Sequence, residues 1–161
     1  IAAAQSKGTE HTAKAVVQLL NYCATHPHAV VRYHASDMVL HIDSDASYLS
    51  LPAARSRAGG HYYLSSKSTN PAKAPTSSPP MNGSVHTVCN CLNHVMASAT
   101  EAKVGALFLN GQEDTVLRTM LQDLGHQEPA TPVNTDNSTA AAIANHSLNQ
   151  RPSRPMHMRF T

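Results

Sequence analysis

The tightest constraint in this chain is one long helix-forming stretch with extended runs on both sides of it. Residues 98–124 open with Ser98 and Glu101, spaced for a capping box, and end before Gly125, a residue suited to the position just past a helix. Leu107, Val116, Leu117, Met120, Leu121 and Leu124 recur at helical spacing and predict an apolar stripe, with Gly111 as its weak point. Three β-rich runs precede the helix: 38–43, which leads into Ser44-Asp45-Ala46-Ser47; a run opened by Gly59-Gly60 and continuing through Leu64; and 84–92. In the last of these Val85, Thr87, Cys89 and Cys91 alternate with His86, Val88, Asn90 and Leu92. A short fourth run, 131–135, follows the helix. A strand that returns after a helix lies parallel to the first strand through a right-handed crossover. The expected fold is therefore α/β, with three antiparallel strands and then a parallel strand after a long helix. That crossover sets the ends of the first and fourth strands side by side, and each end carries a carboxylate, Asp45 and Asp136.

The rest of the chain is less constraining. Residues 9–25 predict a helix capped by Thr9, with Ala13, Val16, Val17, Leu20 and Cys23 on one face, ended by His26-Pro27. A short β-rich run at 29–33 and a turn at 35–37 come next. A polar, Arg-bearing stretch runs to Arg57, and 67–83 is a flexible Ser/Pro-rich loop between two antiparallel strands. Residues 139–147 are an Ala-rich helix, and the tail starts another at Met156. The chain opens without Met and stops at Arg159-Phe160-Thr161 in mid-helix pattern, so both ends read as cuts in a longer reading frame.

Composition narrows the class. The length of 161 residues suits one domain, and 41% hydrophobic against 14% charged residues suits a globular chain. Aromatics are only 4%, with no Trp, so the core is expected to be aliphatic and the stability modest. A net charge of +2 does not announce a nucleic-acid binder, although the 11 His raise the charge steeply below about pH 6.5. Three cysteines, Cys23, Cys89 and Cys91, are read as buried thiols in a reducing compartment rather than as a disulfide or zinc site, since neither C-x-x-C nor H-E-x-x-H occurs. No apolar run approaches the ~18 residues of a membrane span, and no signal-peptide pattern opens the chain, so no membrane partner is expected.

Paired carboxylates at adjacent strand ends, with a helix between them, are the one constellation with evident chemistry. Mg²⁺ takes oxygen ligands, commonly one or two carboxylates plus substrate phosphate oxygens, and a pair of such ions supports phosphodiester hydrolysis. Asp is also common in turns, so taken alone Asp45 and Asp136 read first as structural residues. Asp43, on the same strand, reads as a half-buried hydrogen-bonding group in preference to a substitute ligand.

The motifs in order resemble a family. Ser44-Asp45-Ala46-Ser47, with Arg55-Ser56-Arg57-Ala58-Gly59-Gly60-His61-Tyr62, resembles the S-D-A-x … R-S-x-x-G-Y opening of the RNase H domain in copia-type LTR retrotransposon polyproteins. Ser98-Ala99-Thr100-Glu101-Ala102-Lys103 is similar to that family's S-x-x-E-A-E helix start. Thr135-Asp136-Asn137-Ser138-Thr139-Ala140 is similar to its D-N-x-S-A step, and Arg154 to Phe160 to its K-x-I-D-I-R-Y-H segment. Gln18-Leu19-Leu20-Asn21-Tyr22 resembles the connector from reverse transcriptase. The resemblance implies a connector helix over 1–26 and an RNase H-like domain over 27–161, truncated before its fifth strand.

The resemblance also implies a four-carboxylate centre for cleaving RNA in RNA–DNA hybrids, with Mg²⁺ or Mn²⁺ as cofactor. Asp45 and Asp136 match two of the four. The expected helix Glu is replaced by Lys103. Glu101 lies two residues away, a rotation of about 200° onto another helix face. The fourth carboxylate lies beyond Thr161, and His157 replaces a family Asp. The expectation is a degenerate, catalytically inactive copy that holds no metal, with Lys103 ion-paired to Asp45 or Asp136. A retained hybrid-binding role would use Arg55, Arg57 and Lys67. Two alternatives are a self-assembling subunit that pairs through the sheet edge beside 131–135, and a live nuclease that recruits Glu101 or Asp43. Cytoplasmic localisation follows only from the family and the missing signal.

Overall fold

The computed structural model describes residues 7–66 and 81–146, in two compact units divided between Arg32 and Tyr33. The first unit holds helix α1 (Glu10–Thr25). Thr9 caps it, accepting from the Thr12 amide while Thr12 Oγ1 accepts from the Thr9 amide, so both ends of the capping box close. No strand forms at 29–33, where a β-rich composition finds no neighbour to pair with.

The second unit is a mixed α/β layer. It contains β1 (Val39–Leu51), β2 (Arg55–Ser65), β3 (Ser84–Cys91), helix α2 (Ala99–Asp123), β4 (Val133–Asn134) and helix α3 (Ser138–Ala144). The sheet order is β3-β2-β1-β4, with β1 antiparallel to β2, β2 antiparallel to β3, and β4 parallel to β1. This is the mixed sheet that the order of runs predicts, consistent with the RNase H-like arrangement that the resemblance implies, and no fifth strand occurs among the described residues. None of the described helices is long and apolar enough to cross a membrane.

Boundaries shift where pairing overrides composition. The polar, Arg-bearing stretch up to Arg57 is drawn into a hairpin: β1 continues to Leu51 and β2 starts at Arg55, with a register break between Ser47 and Leu51. Leu49 sits there with φ of 51°, and its amide donates to Ser56 Oγ, which holds the bulge in place. Helix α3 is shorter than expected and takes Asn137 as its cap. The loop at 67–80, Lys67 within it, and the tail helix with His157 lie outside the described residues.

The core lies between one sheet face and the first half of α2. Leu40, Ile42, Tyr62 and Val88 form one cluster, and Ala58, Leu92, Met96, Ala102 and Ala106 form another. Helix α2 buries Glu101, Ala102, Gly105, Ala106 and Asn110. The aliphatic stripe is only partly inward: Leu117 and Leu121 pack on the core, while Val116, Met120 and Leu124 are exposed. Small residues decide this, because Ala102, Gly105 and Ala106 let the backbone approach the sheet where bulkier side chains would hold it away. Past Leu124, Gly125 takes a φ of 91°, the left-handed end expected of it. The capping box closes only by half. Ser98 Oγ accepts from the Glu101 amide, but the Glu101 carboxylate reaches past the cap to the Ala97 amide.

A buried polar bracket ties α2 to the β1–β2 hairpin. Asn110, fully buried, donates to Ser44 Oγ at 2.8 Å and to the Gly59 carbonyl at 2.9 Å, and Tyr62 donates its hydroxyl to Asn110 Oδ1 at 3.0 Å. Burial holds the Tyr62 phenol well above its ordinary pKa, so it stays a donor. Gly60 is required beside this bracket: a Cβ there would lie 2.4 Å from Asn110 Oδ1. The expectation of buried thiols is corrected, since Cys23, Cys89 and Cys91 are all free and exposed. Cys89 and Cys91 lie on the face of β3 opposite the buried Val88, which the core does not cover.

Candidate functional site

The two strand-end aspartates do meet, and a lysine joins them. Asp45 stands on β1, where its Oδ1 accepts from the Ala46 amide, and Asp136 lies just past β4, one residue before the cap of α3. Lys103, one turn into α2, places Nζ 3.2 Å from Asp45 Oδ1 and hydrogen-bonds Asp136 Oδ1. The expectation of a pair with one aspartate or the other is thus exceeded: a single ammonium bridges both. The Lys103 side chain is 15% exposed, whereas the Asp45 and Asp136 side chains are 72% and 68% exposed. The hydrogen bond to Asp136, helped by Asp45, raises the Lys103 pKa above its ordinary value against the opposing effect of desolvation. The two carboxylates thus hold Lys103 as an ammonium to a higher pH than an isolated lysine would keep.

The other acids are elsewhere. Asp43 lies one step inward on β1 and accepts from Asn134 Nδ2 at 2.8 Å, which is the hydrogen-bonding role expected of it. Glu101 is buried, with its carboxylate on the Ala97 amide, so the candidate substitute ligand serves the helix start instead. Among the described residues no three His, Cys, Asp or Glu side chains come together as a metal-binding group. A cavity of about 730 Å³ opens beside the trio, bordered by Asp43, Asp45, Gly59, His61, Asn134 and Asp136.

The basic candidates divide. Arg55 and Arg57 lie on β2 rather than in a polar loop. Arg55 Nε donates to the Leu92 carbonyl at 2.8 Å, a bond that closes the β2–β3 end of the sheet. Arg57 Nη1 donates to Cys89 Sγ at 3.5 Å. Lys67 lies outside the described residues. The outer position of β4 leaves Val133 42% exposed at the sheet edge.

Sequence reasoning missed three supporting residues. Asn134 and Glu128 hold the β4 side of β1, and Asn110 supports it from behind. Only Asn110 offers a signal in the sequence, as an amide on the helix face that otherwise carries Ala102 and Ala106. No protein-family model matches this chain, and neither does any curated protein or solved structure.

Proposed function

We propose that the chain carries a disabled phosphodiester-cleaving centre of the RNase H type, derived from a copia-type retrotransposon polyprotein. In this reading Lys103 stands where a divalent cation would bridge the acids. The observation that supports it is the placement of one ammonium on both Asp45 and Asp136.

The residues present do not fit a divalent ion. At an effective dielectric near 20, a dication about 4 Å from an ammonium is repelled by roughly 8 kcal/mol, which offsets the attraction of one carboxylate at the same distance. Metal would bind only after Lys103 left, and its departure would cost both ion pairs. The acid that resemblance expects at this helix position would instead have attracted the ion. Glu101 is engaged at Ala97 and does not compensate.

The test is calorimetric titration of Mg²⁺ and Mn²⁺ into the native chain and into Lys103→Glu. The expected outcome is no saturable binding to the native chain, and millimolar or tighter binding to the variant. Saturable binding to the native chain, with cleavage of an RNA–DNA hybrid, would overturn the reading.

A further inference from the structure

The outer strand β3 presents two thiols to one side. Cys89 and Cys91 are separated by one residue, so strand alternation puts them on the same face, and both are exposed and free. Cys89 stands opposite Gly59, which has no side chain, and Cys91 stands opposite Arg57. Arg57 leans along the strand so that Nη1 donates to Cys89 Sγ at 3.5 Å, while its buried Nε has no hydrogen-bond partner among the described residues. A guanidinium with spare donor capacity therefore lies against Cys89, while the Cys91 thiol donates to the Leu92 carbonyl at 3.5 Å, a weak bond that metal binding would replace.

Distances decide what the pair can do. Strand rise sets Cα atoms two residues apart at about 6.6 Å, with their Cβ atoms nearly parallel. A disulfide needs Cβ atoms within about 3.5–4.5 Å, which β3 cannot supply while it stays paired with β2. A two-coordinate ion with metal–thiolate bonds of about 2.3 Å needs sulfurs only about 4.6 Å apart, reached when each side chain leans inward by about 1 Å. Thiolates select soft ions, and Cu(I) accepts just two of them, whereas Zn²⁺ calls for four ligands. Charge agrees, because two thiolates and one monovalent cation leave −1, which the Arg57 guanidinium cancels.

We propose that Cys89 and Cys91 form a two-coordinate site for Cu(I), with Arg57 neutralising the anionic bis-thiolate complex. The two thiol protons pass to solvent as the ion binds, so affinity rises with pH. The site is separate from the Lys103 cluster and does not depend on the reading given to it.

The experiment uses the full chain carrying Cys23→Ser, titrated with Cu(I) under argon with ascorbate against bicinchoninate as the competing chromophoric chelator. One equivalent is expected to leave the chelator. Cys89→Ser or Cys91→Ser should each weaken binding by about 100-fold or more, since a two-coordinate ion loses half its ligands. Arg57→Gln should weaken it by about tenfold, as expected for a group that contacts a metal ligand. Both serine variants should keep the native circular dichroism, because the thiols are exposed. The proposal fails if the chelator keeps its copper, or if the Cys89→Ser/Cys91→Ser double variant takes up copper as well as its parent. An unchanged affinity in Arg57→Gln would overturn the charge-compensation role.

Discussion

Strand β1 is held in opposite ways on its two sides. Towards β2 it runs in unbroken register from Val39–Ser65 to Ser47–Arg57, a backbone ladder with the Asn110 bracket behind it. Towards β4 the ladder shrinks to Ile42–Val133 and Asp43–Asn134. The joining there passes largely to side chains. The Glu128 carboxylate accepts from the Leu40 amide, Asn134 donates to Asp43, and Lys103 spans Asp45 and Asp136; the Ile42 amide donates to the Pro132 carbonyl. Where few backbone bonds can form, charged and amide side chains take over the seam, and the candidate site is part of that seam. Lys103 consequently has a structural role in the seam between β1 and the β4 end.

Four measurements would break or sharpen this contrast. The largest effect is expected on the ladder side. Asn110→Leu strands Ser44 Oγ and the Gly59 carbonyl, while the Tyr62 hydroxyl keeps the Asn110 carbonyl as acceptor, and should cost about 3 kcal/mol in urea unfolding. Combined with Tyr62→Phe, the loss should be less than the sum of the two, since both act on one bracket. An additive result would mean that the bracket is not a unit.

On the seam side, Glu128→Ala leaves the Leu40 amide without its charged acceptor and should cost about 1.5–2 kcal/mol. Amide exchange offers a sharper readout. Ile42, whose amide faces the β4 side, should exchange faster in the variant, whereas the amides of His41 and Asp43 that face β2 should not. Equal acceleration on both sides would refute the division.

His41 tests the ladder side through pH. It is 1% exposed, lies against Tyr63, and has neither ring nitrogen hydrogen-bonded to a described side chain. Burial lowers its pKa below 6.5, opposed by weaker contributions from the Ser66 backbone, Asp43 and Glu128. A base with a lowered folded-state pKa contributes stability that is present above its unfolded value, near 6.5. That stability is lost as pH falls through the folded value, because the unfolded chain takes up the proton first. Acidification below about pH 6.5 should cost up to about 1.4 kcal/mol per pH unit from this residue, and His41→Phe should remove that portion of the slope. An unchanged slope in the variant would assign it to other histidines.

The smallest effect belongs to Lys103. With both partners largely exposed, Lys103→Met should cost about 0.5–1 kcal/mol, and less in high salt. The folded-state pKa is raised, so the contribution is complete below the ordinary lysine value and is lost as pH rises through the higher one. The gap between wild type and Lys103→Met should close in that alkaline range. A loss of 3 kcal/mol or more would mean that the seam relies on Lys103 far more than the exposure of its partners suggests.

Much of this architecture was legible in the residues alone. Alternation and helical spacing are local properties, and they located α1, β3 and α2 to within a residue or two. The parallel return of β4 followed from chain handedness. Helical rotation set Glu101 on a different face from Lys103, whereas the expectation that Lys103 meets the strand ends came from the motif resemblance. Local reasoning failed where a partner distant in sequence decides. The length of β1 past Asp43 depends on β2, the exposure of Val116 and Met120 depends on how closely Ala102 and Ala106 let α2 settle, and the exposure of the β3 thiols depends on which face of the strand the core covers.

By itself, then, the sequence determined the order and type of the elements, because periodicity, caps and crossover handedness act over a few neighbouring residues. Only the tertiary structure decided that one ammonium bridges both Asp45 and Asp136, that Asn110 brackets the hairpin, and that Asn134 and Glu128 complete the β4 seam. Each of those contacts joins residues dozens of positions apart. Their geometry is set by how closely a helix lined with small residues can settle on a twisted sheet, and no local pattern encodes that distance.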